Sequence, residues 1–324
     1  MRILVTGASG FVGAAIGAAL GASPLHVGRL AYRGALPVAP SSVDGIDQNE
    51  VCAAADLNSA ADWSAALTDV DVVIHSAGRA HIMDEASTDP LAAFRTVNVD
   101  GTLRLARQAV AAGVQRFIFV SSIKVNGEET LPSLPFTADA EPLPVDPYGV
   151  SKHEAEQGLQ ALAKESGLEV VIVRPVLVYG PGVKANFRSM MNWLNKGVPL
   201  PLGAIDNRRS LVALDNLVDL LITCIDHPAA ANQTFLVSDD EDLSTTMLLQ
   251  RMAAALERKP RLLPIPPVLL TLAARALGKE NIAQRLCGFL QVDISKTKAL
   301  LDWQPSVGVD AALSKTARHF QRHS

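Results

Sequence analysis

TGASGFVG (residues 6–13) follows the apolar run RILVT (2–6) and opens into FVGAAIGAALG (11–21). Gly7, Gly10 and Gly13 are spaced GxxGxxG between a short buried strand and a helix. A tight turn at Gly7 lets the backbone approach a pyrophosphate, Gly10 keeps a Cβ out of that approach, and Gly13 lets the helix sit close to the sheet. The helix N-terminus offers free N–H groups and partial positive charge to phosphate oxygens. Ser9, Phe11 and Val12 complete the candidate turn. At the head of a strand–turn–helix series the pattern points to a bound dinucleotide. The stretch is not GxSxG, so it implies no nucleophile elbow.

Outward from this turn, LHVGRLAYR (25–33), VCAAADL (51–57), VDVVIHSAG (70–78), QRFIFVSS (115–122) and LEVVIVRP (168–175) read as the next strands. Helices are expected over 59–67, 91–113 and 147–167, and 34–48 reads as a loop. Near-continuous apolar strands alternating with helices imply a parallel sheet covered on both faces. The expected fold is α/β, a doubly wound Rossmann-type sheet. Beyond residue 175, helix 186–196, strand-like RRSLVAL (208–214), helix 215–227 and strand TFLVS (234–238) suggest a smaller α/β lobe, followed by a mostly helical tail. The expected division is a dinucleotide-binding domain, 1–175, and an interleaved substrate-binding lobe, 176–324.

Bulk composition narrows the function. Only 19% of the 324 residues are charged and nearly half are apolar, which suits a large core rather than a disordered chain. A net charge of −4 with scattered basic residues gives no footprint for nucleic acid. Cys52, Cys224 and Cys287 are dispersed, which argues against a disulfide framework or a zinc site. Neither the seven histidines nor the carboxylates show ligand spacing, so no metal is expected; His75 and His81 read as structural. MRILVTGASG does not read as a signal peptide, and no apolar run approaches a membrane span. The expected compartment is the cytoplasm. LLPIPPVLLTLAARALG (262–278), broken by prolines, reads as a packed helix, with contact to a membrane surface or a second copy left open.

The second strand ends in Tyr32–Arg33, where an acidic residue would accept the adenosine ribose hydroxyls and an arginine would welcome a 2′-phosphate. NADP(H) is therefore the favoured cofactor and NAD(H) the alternative, with Arg29 able to share the role. Asp56, with Leu57 beside it, is a candidate for the adenine, or a capping aspartate.

YGVSK (148–152) places a phenol and an ammonium one helical turn apart, about 6 Å along the axis. A free tyrosine titrates near about pH 10, and a neighbouring ammonium would lower that value toward the working range. Lys152 can also hold a ribose. Ser122 ends the fifth strand, where open α/β sheets bind ligands, and can hydrogen-bond a carbonyl or hydroxyl oxygen. Tyr148 can exchange a proton with that oxygen as the attached carbon is oxidised or reduced. An exposed i,i+4 pair is the plain reading of YxxxK alone. Combined with the glycine turn and the strand-end serine, the set Ser122, Tyr148 and Lys152 reads as catalytic, with Ser121, Tyr148 and Lys152 also beside the cofactor.

These motifs, together with VIHSAG (73–78), NVDGT (98–102), FVSSIKVNG (119–127), RPVLVYGPG (174–182) and RRSLVALDN (208–216), resemble the extended short-chain dehydrogenase/reductases of the NAD-dependent epimerase/dehydratase group. The resemblance covers nearly the whole chain. It implies that Ala77, Gly78 and Pro175 line the cofactor and that Asn98 steadies the active-site helix. It also implies that Asn186 and Arg209 hold a UDP diphosphate, with Arg285 as a second clamp off the family spacing. Asn186 could instead cap its helix, and Arg285 could be solvated. The substrate implied is a UDP-sugar, and a homodimer through helices 91–113 and 147–166 is expected.

Sugar 4,6-dehydratases of the group carry an Asp-Glu pair after the catalytic Ser/Thr; here those positions are Ile123 and Lys124. Arg33, and Asn126 in place of the usual tyrosine, tilt the reading toward a 4-ketoreductase. Its substrate would be a UDP-4-keto-6-deoxy-N-acetylhexosamine of surface-polysaccharide synthesis. A UDP-sugar 4-epimerase is the alternative, and a non-catalytic redox sensor a lesser one. An arginine aimed at a diphosphate disfavours steroids and other apolar substrates.

Overall fold

A computed structural model describes residues 1–34, 49–79 and 89–323. Seven parallel strands form one sheet: β1 (Arg2–Thr6), β2 (Val27–Tyr32), β3 (Glu50–Ala53), β4 (Val72–His75), β5 (Arg116–Val120), β6 (Glu169–Pro175) and β9 (Thr234–Val237). Their order is β3-β2-β1-β4-β5-β6-β9, so the winding reverses between β1 and β4. Open α/β sheets bind ligands in the crevice at such a reversal, beyond the carboxyl ends of the strands. β7 (Leu177–Tyr179) and β8 (Leu211–Ala213) pair with each other outside this sheet.

Alternation along the strands builds two cores. Ile3, Val5, Ile118, Val120, Val171 and Val173 face one way, against α1 (Phe11–Gly21) and α7 (Leu214–Thr223). Leu4, Val73, Phe117, Phe119, Val170 and Ile172 face the other, against α2 (Ser64–Leu67), α4 (Thr102–Ala111) and α5 (Pro147–Ser166). Both faces are covered, which is why apolar residues run on consecutive positions of these strands rather than on alternate ones. A further core joins α6 (Ala185–Asn195), α8 (Thr245–Ala255) and α12 (Val309–Arg322) around Tyr179, Phe187, Met191, Leu249 and Leu313. The remaining helices are α3 (Pro90–Arg95), α9 (Pro267–Ala276), α10 (Glu280–Cys287) and α11 (Ser295–Leu301).

Three elements differ from expectation. The helix over 91–113 is α3 and α4 joined by a π-helical turn at Thr96–Gly101. The helix over 59–67 shrinks to four residues, Ser64–Leu67. TFLVS, expected in the smaller lobe, supplies β9, which pairs with β6 in the large sheet through Ile172↔Thr234 to Pro175↔Val237. Residues 35–48 of the expected loop, and His81, lie outside the described residues.

Candidate active site

At the β1/β4 reversal Gly7 has φ 75°, a left-handed conformation that glycine adopts without strain. A Cβ on Gly7 would lie 2.8 Å from the Ala77 nitrogen, and one on Gly13 would lie 2.1 Å from the Gly7 carbonyl oxygen. Neither position tolerates a side chain. Gly10 N–H donates to the Gly7 oxygen (2.8 Å), and Gly10 is the N-cap of α1 with no side-chain cap. Ser9 and Gly10 are exposed; Phe11 and Val12 are half-buried. A Cβ-free cradle at an uncapped helix N-terminus fits a pyrophosphate. Ala77 and Gly78 follow β4 on the opposite wall. Leu57 backs Gly101, whose Cβ would come within 2.7 Å of the Leu57 carbonyl carbon. Asp56 and Arg33 are exposed, Arg33 just beyond the end of β2. Arg29 does not share that place. Its guanidinium is held by Glu50 (2.7 Å) and by the carbonyls of Ala66 and Thr68 (3.1 and 2.6 Å).

Ser122 follows β5 and caps the short turn Ile123–Val125, its Oγ accepting from Lys124 N–H. α5 begins at Pro147 with Asp146 as its N-cap, accepting from Gly149 N–H at 2.6 Å, and ends at left-handed Gly167. That start puts Tyr148 in the first turn, its ring edge-on to Phe94 at 5.9 Å. The Ser122 hydroxyl lies near enough to the Tyr148 phenol to favour its ionised form. Lys152 donates to the Val120 carbonyl oxygen (2.8 Å) and sits over the Phe119 ring, 4.4 Å from its centroid. A Cβ on Gly78 would lie 3.6 Å from Lys152 Nζ and 3.0 Å from Asn98 Oδ1, so both side chains pack against the segment that follows β4.

The electrostatics depart from the sequence reading. Burial pushes the Tyr148 phenol up to about 12, with Ser122 opposing and Asp146 adding to the rise. The Lys152 ammonium donates to the Val120 carbonyl at the end of β5. Burial also lowers Lys152 to about 8, against the pull of Glu156. His75 is held neutral, near about 3, by burial and by Lys152, and bridges Thr6 and Thr102 at 2.6 and 2.9 Å. It is structural.

Asn98 stands in the π-helical turn. It donates to the Arg79 carbonyl (3.1 Å) and Ser151 Oγ (3.0 Å) and accepts from Arg79 N–H (2.8 Å), tying the loop after β4 to α5. Such turns re-aim side chains inside a helix and are frequent at functional sites.

Glu156 and Arg174 escaped the sequence reading. Both are buried and form a bidentate pair with contacts of 2.5 and 3.0 Å. Ser121 donates to Glu156 (2.5 Å), and Arg174 donates to Asn126 Oδ1 (2.9 Å). The Ser121 hydroxyl therefore faces this buried network, not the cofactor crevice. Asn126 is a partner for Arg174, which accounts for a polar residue there. A signal existed: Glu156 lies four residues after Lys152 and eight after Tyr148, on the same helical face.

Arg209 is half-buried and donates to the Gly288 carbonyl (3.0 Å). Burial lowers its pKa, with Glu129 opposing and the Arg285 charge reinforcing. Asn186 is exposed in the first turn of α6, whose N-cap is Lys184, so it is not a cap. Among the described residues it makes no hydrogen bond to either arginine. Pro175 is buried at the end of β6. Ile123 is core, and Lys124 is paired with Glu128 (3.0 Å) and Asp146. Among the described residues no group of His, Cys, Asp and Glu could hold a metal.

The depressed Lys152 value has a consequence for stability. From about pH 8 to 10.5 the unfolded chain keeps a proton that folded Lys152 has lost, so stability rises with pH. Below about 8 both states hold it, and the full penalty for burying the ammonium remains. Lys152→Met is expected to stabilise the fold at pH 7 by on the order of 1–3 kcal/mol. The gap to wild type should close as pH rises through that window. Urea melts at pH 7 and 10 check this; a less stable variant at pH 7, or a gap indifferent to pH, contradicts it.

Comparisons with known proteins place the chain in a family. The NAD dependent epimerase/dehydratase family model matches residues 3–238. A UDP-glucose 4-epimerase of Vibrio cholerae is 47% identical over 319 residues, covering 98% of this chain and 95% of the relative. A UDP-glucuronic acid 4-epimerase of Bacillus cereus in complex with NAD superposes with a TM-score of 0.78 at 21% identity, covering 100% of this chain and 99% of the other. A UDP-glucose 4-epimerase of Thermotoga maritima with UDP-glucose gives 0.76 at 21% identity, over 100% and 99%. At that identity the two structures speak for the fold. The family match over residues 3–238 and a relative aligned almost end to end, on a chain with an intact glycine cradle and YGVSK helix, make this protein a member of the NAD dependent epimerase/dehydratase family.

Proposed function

We propose that the protein is a UDP-sugar 4-epimerase that retains NAD(H). The observation that carries this is the 47% identity, over 98% of the chain, to a UDP-glucose 4-epimerase. It moves the reading away from the 4-ketoreductase favoured by sequence. Two local facts agree. Asn126 serves Arg174, so its presence needs no reductase to explain it. Arg29 serves Glu50, which leaves one of the two arginines considered for a 2′-phosphate.

The nicotinamide cofactor, when bound, supplies hydride exchange at the sugar carbon. Gly7, Gly10, Gly13, Ala77 and Gly78 would hold it, with Lys152 at the ribose. Ser122 orients the C4 oxygen of the sugar. Tyr148 takes the proton from that oxygen as C4 is oxidised to a ketone and returns it when C4 is reduced from the other face. Arg209 and Arg285 hold the diphosphate. Residues 1–175 and 176–324 divide into cofactor and substrate portions, with α7 and β9 returning to the large sheet, and α4 and α5 form the seam of a homodimer.

Incubation with UDP-glucose or UDP-N-acetylglucosamine and no added reductant tests this. Formation of the 4-epimer is expected. No epimer, with NADPH consumed on a UDP-4-keto-6-deoxy-N-acetylhexosamine, would replace it with the reductase, the second reading that exposed Arg33 keeps in play. Arg209→Ala is expected to raise KM for the UDP-sugar about 10- to 100-fold with kcat little changed, as for a lost charge-assisted contact. An unchanged KM would remove Arg209 from the substrate site.

A further inference from the structure

α9 is apolar on both its inner and its outer face. None of its ten residues is buried. At about 100° per residue, half-buried Pro267, Leu270 and Ala274 share the face toward the protein. Val268, Leu269 and Leu272 lie on the opposite face and are 68%, 55% and 58% exposed. Leu277 at the end of α9 and Ile282 on α10 are also exposed, at 71% and 53%. Single exposed leucines are ordinary; an apolar stripe on the outer side of a helix marks an interaction surface.

Charge says what covers it. Residues 257–280 carry exposed Arg258, Lys259, Arg261, Arg275 and Lys279 against Glu257 and Glu280, a local excess of positive charge in a chain of net −4. In a two-fold contact the same patch meets itself, which would set these cations against their own copies. An anionic lipid surface complements both the stripe and its basic flank. Among the described residues no helix is long and apolar enough to cross a membrane, so α9 would lie in the interface.

We propose that α9 docks the protein on anionic membrane surfaces, its outward leucines entering the headgroup boundary and the flanking cations meeting lipid phosphates. The sugar chemistry proposed above is not required for this, so the two ideas stand or fall separately.

The test is flotation of the purified full chain with vesicles of phosphatidylcholine, with and without phosphatidylglycerol. Binding is expected with the anionic vesicles and is expected to weaken with salt. Leu269→Asp/Leu272→Asp should reduce partitioning at least about tenfold, with circular dichroism and turnover retained because both side chains are exposed. Failure of the wild type to float with anionic vesicles overturns the proposal, as does undiminished flotation of the double variant. Conversion of a dimer to a monomer by the same substitutions, seen by sedimentation, would reassign the face to a second copy.

Discussion

Tyr148→Phe is expected to cut turnover about 10²- to 10⁴-fold, the range for losing a positioned proton-transfer group. Cofactor affinity should change little. The substitution removes one oxygen and keeps the ring that packs edge-on against Phe94. The cradle of Gly7, Gly10 and Gly13 is formed by the turn from β1 into α1, not by α5. With the phenol pushed up to about 12, Tyr148 is protonated across the neutral range. Taking the C4 proton in the first, oxidative step therefore requires a charge or hydrogen bond that favours the phenolate in the loaded site, and the protonated phenol then donates in the return step. Ser122→Ala should be the milder variant, since it removes an orienting contact and leaves the proton donor. Steady-state turnover and cofactor titration on the same preparation separate the two effects. Retained turnover in Tyr148→Phe would move the proton transfer to another residue.

Much of this site is legible in sequence because it rests on local rules. Gly7 and Gly13 are required by contacts within a few residues and one neighbouring strand, and the motif encodes both. The caps of α5, Asp146 and Gly167, are equally local. What escaped depends on contacts distant in sequence. TFLVS reads correctly as a strand, but its place beside β6 is a pairing across some 60 residues that periodicity cannot express. The π-helical turn follows from Asn98 reaching Arg79 and Ser151 and from Gly101 meeting Leu57, not from helix propensity. Spacing put Lys152 on the face of Tyr148, yet could not say that its ammonium would choose the Val120 carbonyl. Burial then overrode the expected charge effect on the phenol. Ser121 and Ser122 are neighbours on a strand end, so their side chains leave in opposite directions, one to Glu156 and one to Tyr148.

The buried pair beneath the site should govern stability. Arg174→Met leaves Glu156 as an unpaired carboxylate in the core, and a loss of about 3–5 kcal/mol is expected. The side chains are only 5% and 2% exposed, so water cannot replace the missing guanidinium. Replacing both members by apolar residues of similar size, Arg174→Met with Glu156→Leu, should recover much of the loss, because the charge that needed a partner is gone. Recovery should be incomplete. Ser121 would lose its acceptor and Asn126 its donor, and each buried polar group left unmatched costs about 1–3 kcal/mol. Catalysis should register the change as well as folding. Ser121 adjoins Ser122, and Glu156 lies one turn beyond Lys152 on α5, so a shift of the network displaces the serine proposed to orient the sugar oxygen and the lysine proposed to hold the cofactor ribose. Urea melts of the two single variants and the double give the coupling. A loss below about 1 kcal/mol in Arg174→Met, the scale of an exposed pair, would mean that the pair is not the anchor of the strand end and helix that carry the chemistry.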